Sequence, residues 1–388
     1  MVLLKMETID KIITIKKGKK PQSLSPNKSK GFMPYVDIKA FEKGIIDNYT
    51  NDEKCLPCND GDLLIVCDGS RSGLVGRAIK GYVGSTLARI DYDKSISRDY
   101  LYYFIQGKYQ LLNTQKKGTG TPHLNAEILK NSSIYLPSLE EQTHIVTKIE
   151  ELFSQLDSGV ETLKKTKQQL AVYRQAVLKE AFDVGSPLVR LDDLCYFITK
   201  GTTPKKEDLL NKGDVPFIKV YNLTFDTSLD FSIDPTFVTK ETHTGFLGRS
   251  IVYPGDVLMN IVGPPMGKVS IVPNTYSEWN INQAIARFRC KEKLLNKYLA
   301  YYLGFSSTVE KMKSKSKATA GQFNLTLEIC RNIEIPLPDL EEQKRIISFI
   351  EEKLSVCDSI EKTVDEALQQ AEALRQSILK KAFEGGLT

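Results

Sequence analysis

Residues 134–185 read IYLPSLEEQTHIVTKIEELFSQLDSGVETLKKTKQQLAVYRQAVLKEAFDVG, and residues 335–386 read IPLPDLEEQKRIISFIEEKLSVCDSIEKTVDEALQQAEALRQSILKKAFEGG. They align without a gap at a constant offset of 201, with about 24 of 52 paired positions identical. Chance would supply only a few such matches, so the chain contains a duplication.

Both copies read as long helices. Ser138 with Glu141, and Asp339 with Glu342, have the spacing of a capping box: an N-cap acceptor and a carboxylate three residues on. A proline, Pro137 or Pro338, precedes each cap, and glycine closes each copy at Gly185 or Gly385–Gly386. At about 1.5 Å per residue, a helix of some 45 residues spans roughly 68 Å. The apolar spacing is 4-3-4-3. One copy runs Ile145, Ile149, Leu152, Leu156, Gly159, Leu163, Thr166, Leu170, Tyr173, Val177; the other runs Ile346, Ile350, Lys353, Cys357, Ile360, Val364, Ala367, Ala371, Leu374, Ile378. Only Gly159, Thr166 and Lys353 break the pattern. A sustained 3.5-residue period predicts a coiled-coil seam through Ile149, Leu152, Leu156, Leu163 and Leu170 on one helix and Ile350, Cys357, Ile360, Val364 and Leu374 on the other. Two amphipathic helices on separate cores would give a similar pattern. A helix this long needs a long partner, however, and the chain supplies one of matched length.

The blocks before the helices repeat more faintly. Lys17-Gly18-Lys19-Lys20-Pro21 matches Lys200-Gly201-Thr202-Thr203-Pro204, and Gly61-Asp62-Leu63-Leu64 matches Gly255-Asp256-Val257-Leu258. Tyr100-Leu101 matches Tyr298-Leu299, and Gly120 matches Gly321. Offsets drift from about 182 to 201, so the blocks share a frame and differ by insertions. Strands are expected at Leu63–Cys67, Phe217–Tyr221, Val257–Ile261 and Ala284–Phe288, and helices at Arg98–Leu112 and Asn296–Phe305. The domain map is a globular block 1–138, a long helix 139–185, a second globular block 186–338 and a second long helix 339–388. This makes an α+β chain: two mixed α/β globular domains joined by two long helices, in a pseudo-twofold repeat.

Charge sorts with this map. Block 1–138 has 21 Lys+Arg against 14 Asp+Glu, and block 186–338 has 19 against 15; helix 139–185 has 6 against 8, and helix 339–388 has 7 against 11. A net charge of +5 therefore hides basic heads on acidic rods. Basic heads suit phosphate contact. In the first head the basic residues cluster at Lys16, Lys17, Lys19 and Lys20, at Arg71 and Arg77, and at Lys116 and Lys117 in KKGTGTPHLN. In the second they cluster at Lys205 and Lys206, at Lys268, and at Lys311, Lys313, Lys315 and Lys317 leading into ATAGQFN. Glycine-flanked loops of this composition bring donors to phosphates and base edges. The candidate DNA contacts are Lys19, Lys20, Arg71, Arg77, Lys116, Lys117, Thr119, Thr121 and His123 in the first head. In the second they are Lys205, Lys206, Lys268, Lys315, Lys317, Gln322 and Asn324.

Other chemistry is poorly represented. Seven scattered cysteines argue against a disulfide framework. Cys55 and Cys58 form one CxxC, but no second ligand pair accompanies it, so no metal site is expected. Gly263-Pro264-Pro265-Met266 lacks the polar and aromatic ends of an adenine-methyltransferase D/N/S-P-P-Y/F element, and Gly263–Lys268 is too short for a Walker A loop. Paired glutamates such as Glu140–Glu141 and Glu351–Glu352 read as caps and solvated faces. No catalytic residue is expected. No run approaches the roughly 18 apolar residues of a membrane span. MVLLKMETIDKII is a poor signal peptide, which predicts a cytoplasmic, non-membrane protein.

Two variable blocks alternate with two near-identical helices. Each helix opens with P-x-L-E-E-Q (Pro137–Gln142, Pro338–Gln343) and ends near R-Q-x-x-L-K-x-A-F (Arg174–Phe182, Arg375–Phe383). Over essentially the whole chain this resembles the specificity subunit of type I restriction–modification enzymes. The resemblance implies target recognition domains that each read half of a split, asymmetric site in double-stranded DNA. It implies an antiparallel coiled coil that docks two methyltransferase subunits, with motor–nuclease subunits joining later. The chain itself would carry no cofactor; S-adenosylmethionine would belong to the methyltransferase, and ATP with magnesium to the motor–nuclease. Base-contacting residues do not transfer by motif. A coiled-coil interaction scaffold without sequence-specific DNA binding is the alternative reading, and a stand-alone nuclease or methyltransferase is a third.

Overall fold

The computed structural model describes residues 6–118, 122–319, 322–384 and 386, with the side chains of 317–319 and 322 outside the description. The chain forms two compact units, one of residues 1–164 with 365–388 and the other of residues 165–364. The division falls inside both long helices, Leu139–Phe182 and Leu340–Phe383, each of 44 residues. Ser138 Oγ accepts from the Glu141 N–H at 3.2 Å, and Asp339 Oδ1 from the Glu342 N–H at 2.8 Å, which satisfies a donor at each N-terminus. The glutamates do other work than a capping box assigns them. Glu141 accepts from the Tyr135 hydroxyl, and Glu342 pairs with Arg345.

The head of the first unit carries two four-stranded sheets. One has the order Ile13–Lys17, Leu87–Tyr92, Leu63–Val66, Val75–Arg77, all antiparallel. The other has the order Tyr49–Thr50, Met33–Val36, Gly81–Val83, Pro57–Cys58, with the central pair parallel. Leu63–Val66 is buried at every position, so its apolar run shows no alternation. The head of the second unit repeats this plan strand for strand. Its sheets are Cys195–Lys200, Ile285–Cys290, Val257–Asn260, Val269–Ile271, and Phe237–Val238, Val215–Ile218, Trp279–Ile281, Ile251–Val252, again with a parallel central pair. One strand expectation is displaced. The segment expected over Phe217–Tyr221 is a strand at Val215–Ile218 followed by a 3-10 turn at Val220–Asn222, because the buried Asn222 caps the Lys219 N–H and ends the extended run.

In each unit a head helix, Arg98–Thr114 or Asn296–Gly304, packs on the long helices. The shared helix motifs make these joints. Gln142 is fully buried; its amide oxygen accepts from the Ser97 N–H, and its NH2 donates to the Ser95 and Pro137 carbonyls. Gln343 does the same with Leu295, Lys293 and Pro338. Phe383 packs edge-on to Tyr100 and Phe104 at 5.0 and 5.3 Å, and Phe182 to Tyr298 and Tyr302 at 5.3 and 5.1 Å. In this way P-x-L-E-E-Q and the closing A-F lock each rod end into a head.

Within each unit the two helix segments run antiparallel. In the first, Ile145 and Ile149 share a core with Ile378, Leu379, Ala382 and Phe383, while Asp157 pairs with Arg375 further along. In the second, Lys167 pairs with Glu361, and Arg174 with Asp358 at 2.7 Å and Glu361 at 2.9 Å. Of the seam residues, Ile149, Leu170, Ile350, Cys357 and Val364 are buried, and Leu152, Leu156 and Leu163 are half-buried. Ile360 and Leu374 correct the heptad reading: they are 40% and 52% exposed. Burial steps from Cys357 to Glu361 and then Val364, and Arg375 and Arg174 lie half-buried one residue after Leu374 and Tyr173. The step after Cys357 is four residues where the strict heptad takes three, and the next is three where it takes four, so the seven-residue phase is kept while charged residues stand at the seam.

Candidate nucleic-acid interface

Strand ends fix where the head loops gather. In the first head Lys17 pairs with Ala88 and Val66 with Leu87, so the loops after Lys17, Val66 and Val83 leave from one end. Residues 115–118 and 122–124 close onto the same end. The Gly69 N–H donates to the Pro122 carbonyl at 2.8 Å, Leu124 N–H to the Cys67 carbonyl at 2.7 Å, and Lys117 and His123 exchange backbone bonds. Gly18 passes so close to the Val83 and Gly84 carbonyls that a Cβ there would collide with backbone. Gly201 meets Ile281 and Asn282 in the same way. These contacts explain the glycine of both K-G motifs.

Asp68 ties the first head's loops together. Its carboxylate accepts from Lys17 Nζ at 2.9 Å and contacts His123 Nδ1 at 2.7 Å. Burial pushes the Asp68 carboxyl up, but hydrogen bonds and charge from Lys17 and His123 outweigh this and hold it below its ordinary value. Lys116 Nζ donates to the Ser70 carbonyl at 3.0 Å, while Lys117, Lys19 and Lys20 are exposed. Arg71 sits on the loop after Val66, but its guanidinium pairs with Glu42. Arg77 does not join the cluster. It lies opposite Leu63, toward the other end of its strand pair, bonded to Asp99 at 3.0 Å and over the Tyr102 ring. Thr119 and Thr121 lie outside the described residues.

The second head builds the same end with different chemistry. Ile261 N–H donates to the Ala284 carbonyl, and Leu325 N–H to the Ile261 carbonyl, both at 2.8 Å. Val262–Gly263, Gln322–Asn324 and Lys317–Thr319 form a three-stranded ribbon, in which Asn324 pairs with both Val262 and Lys317. This matches His123, which bridges to Asp68 and Lys117. The equivalents of Asp68 and His123 are thus Val262 and Asn324. Lys315 is exposed at the end of the Ser306–Lys315 helix, and Asn324 is exposed on the ribbon. Side chains of Lys317 and Gln322 lie outside the described residues. Lys268 is half-buried with its ammonium over the Phe225 ring at 5.9 Å, and its N–H donates to Asn260 Oδ1. Lys205 and Lys206 are exposed in the stretch after Gly201, Lys205 beside Glu207.

The residues that sequence reasoning missed are those that organise the loops. Asp68 carries no sequence signal beyond a turn-like D-G-S, and Gln142 and Gln343 are visible only as identities between the two helices. Cys55 and Cys58 are buried thiols that donate to separate carbonyls, Lys19 for the first and Ile79 and Gly81 for the second. Burial pushes Cys58 up to about 11. Among the described residues no group of three or more His, Cys, Asp or Glu is placed to hold a metal ion, and no helix is long and apolar enough to cross a membrane.

Comparison with known proteins agrees over the whole chain. The family model for the type I restriction modification DNA specificity domain matches residues 1–171 and again 184–370. The MjaVIII specificity subunit of Methanocaldococcus jannaschii is 26% identical, over 95% of this chain and 89% of its own length. The EcoBI specificity subunit of Escherichia coli is also 26% identical, over 98% and 85%. Among solved structures, a chain from a study of complex assembly and conformational transition in the type I R-M system covers 98% of both chains at 21% identity with a TM-score of 0.74. The HsdS subunit from Thermoanaerobacter tengcongensis covers 98% of this chain and 97% of its own at 21% identity, with a TM-score of 0.53. The chain belongs to the type I restriction–modification DNA specificity subunits, the non-catalytic components that give such systems their DNA sequence specificity.

Proposed function

We propose that this chain selects a bipartite, asymmetric target in double-stranded DNA, one half-site per head, and that its long helices dock two methyltransferase subunits. The working domains are the recognition domains 1–138 and 186–338 and the helices 139–185 and 339–388. The observation that carries this reading is the shared plan of the heads. Each has the same strands and the same converging loops, yet Lys17, Asp68 and His123 in one stand where Lys200, Val262 and Asn324 stand in the other. One scaffold with two loop chemistries suits two different half-sites. Lys19, Lys20, Lys116, Lys117, Lys205, Lys206 and Lys315 supply phosphate contacts. His123, Asn324, Gln322, Lys317, Thr119 and Thr121 supply the contacts to base edges. Methyl transfer then uses the partner's S-adenosylmethionine. Motor–nuclease subunits with ATP and magnesium join the same complex, in the cytoplasm.

The test is co-purification with a type I methyltransferase subunit, methylation of random-sequence duplex, and mapping of the modified adenines. Adenines confined to one split motif support the reading. Methylation that is absent, or indifferent to this chain, sinks it in favour of a protein scaffold. Binding that barely changes with salt counts against it too, since phosphate contacts release counterions.

A further inference from the structure

The loop that joins Leu63–Val66 to Val75–Arg77 in the first head has an exact counterpart between Val257–Asn260 and Val269–Ile271 in the second, with opposite chemistry at its tip. Leu63 pairs with Arg77 and Ile65 with Val75; Val257 pairs with Ile271 and Met259 with Val269. Each residue of the loop 68–74 therefore has its equivalent 194 positions on, in 262–268. Glycine with positive φ stands at the same two places, Gly69 and Gly73 against Gly263 and Gly267. Burial runs in step as well. In both loops the first two residues are half-buried, the next two exposed, the next two buried and the last half-buried. The exposed pair is Ser70–Arg71 in the first head and Pro264–Pro265 in the second.

Both tips are held from below. In the first head the buried Ser72 hydroxyl donates to the Gly69 carbonyl, and Asn113 Nδ2 donates to the Ser70 carbonyl, both at 2.8 Å. In the second head the fully buried Asn260 takes over. Its Nδ2 donates to the Pro265 carbonyl at 2.8 Å, and its Oδ1 accepts from the Lys268 N–H at 3.0 Å. Met266 occupies the buried place of Ser72 and joins the core, so the two exposed prolines are not needed to fill it. Pro264–Pro265 adjoins the ribbon, since Gly263 pairs with Phe323 and Val262 with Asn324. Beside the exposed Asn324, then, the second head presents a fixed tip with no N–H and no polar side chain.

We propose that the Pro264–Pro265 tip seats on the C5-methyl group of a thymine in the major groove of the second head's half-site. The inference rests on reading the heads as base readers, and it names one base feature that the second head reads. The major groove admits a two-stranded ribbon, and thymine's methyl is the apolar group exposed there. An amine or carbonyl of another base under the tip would lose its water without gaining a partner. A tip already fixed by Asn260 keeps the ordering cost of the contact small. The first head offers a hydroxyl and a guanidinium at the same place, so this preference belongs to the second head alone.

The experiment removes the methyl and leaves base pairing intact. The full chain is assembled with a type I methyltransferase subunit. Each thymidine of the half-site that changes on exchange of residues 186–338 is replaced in turn by 2′-deoxyuridine. Methylation kcat/KM with S-adenosylmethionine is read for the wild type and for a Pro264→Ser, Pro265→Ser double variant. In the wild type, replacement of one thymidine lowers kcat/KM about fourfold, the worth of one buried methyl. The variant treats thymidine and deoxyuridine alike at that position. Its thermal midpoint holds, because Asn260 grips the backbone carbonyl and not the ring. Replacements in the other half-site affect both proteins equally. Wild-type indifference to deoxyuridine throughout the second half-site overturns the proposal, and so does a fall that persists undiminished in the double variant. Both results leave the separate reading of half-sites standing, whereas methylation with no sequence preference overturns that reading too.

Discussion

At the loop end of the first head, an aspartate gathers a lysine and a histidine; at the same end of the second head, a valine and an asparagine stand in a backbone-paired ribbon. The strands beneath are the same in order and direction. At the rod ends the comparison reverses. Gln142 and Gln343, Phe182 and Phe383, and the pairs Asp157–Arg375 and Asp358–Arg174 are the same residues making the same contacts. Duplication has kept what joins head to rod and changed what the heads present. That is the division expected where the rods meet two copies of one partner and the heads meet two different half-sites.

The largest expected effect comes from breaking the difference between heads. Replacing residues 186–338 with the corresponding head of a relative exchanges one half of the methylated motif and leaves the other half unchanged. Methylation mapping reads this directly, and a motif altered in both halves would refute separate reading. Next is the seam. Val364→Glu places a charge at a buried position and costs about 3 kcal/mol or more, whereas Ile360→Glu, at an exposed one, stays within about 0.5 kcal/mol. Urea unfolding separates these, and equal costs would restore the strict heptad. A smaller effect attends the reciprocal ion pairs. Arg174→Ala and Arg375→Ala each cost about 1 kcal/mol or less, since their aspartate partners are largely exposed.

The smallest effect is confined to one head and depends on pH. The Asp68 carboxyl titrates below its ordinary value of about 4 in the folded chain. Its stabilisation is therefore present above that range and fades as pH falls through the lower folded value. Asp68→Asn is less stable than wild type near neutrality and converges with it in acid. The same variant frees Lys17 and His123, so hydrogen exchange at 117–124 quickens while the second head is unaffected. A difference that persists unchanged in acid would contradict the loop-tying role.

The helices were legible because their signals are local and stated twice. Caps, periodicity and closing glycines recur at one offset, and duplication separates them from accident. The charged seam positions were not legible: Ile360 and Leu374 look apolar and in phase, and only the partner helix reveals that Glu361 and Arg375 take the seam. The heads were legible as mixed blocks but not as paired sheets. Their strands are two to six residues long, and the parallel pair Met33–Val36 with Gly81–Val83 joins segments far apart in sequence. For the DNA-facing residues, sequence shows that a residue is basic but not whether its charge is already paired. Arg71 and Arg77 find Glu42 and Asp99 across 29 and 22 residues, which no local pattern announces.

The central claim is that each head reads its own half-site. It is tested most directly by exchanging only residues 317–324 for those of a relative with a known target and mapping the methylated adenines. The account predicts a motif altered on one side alone, with the other half and the methyltransferase stoichiometry unchanged. A motif unaltered by the exchange would contradict the placement of recognition at this end of the head.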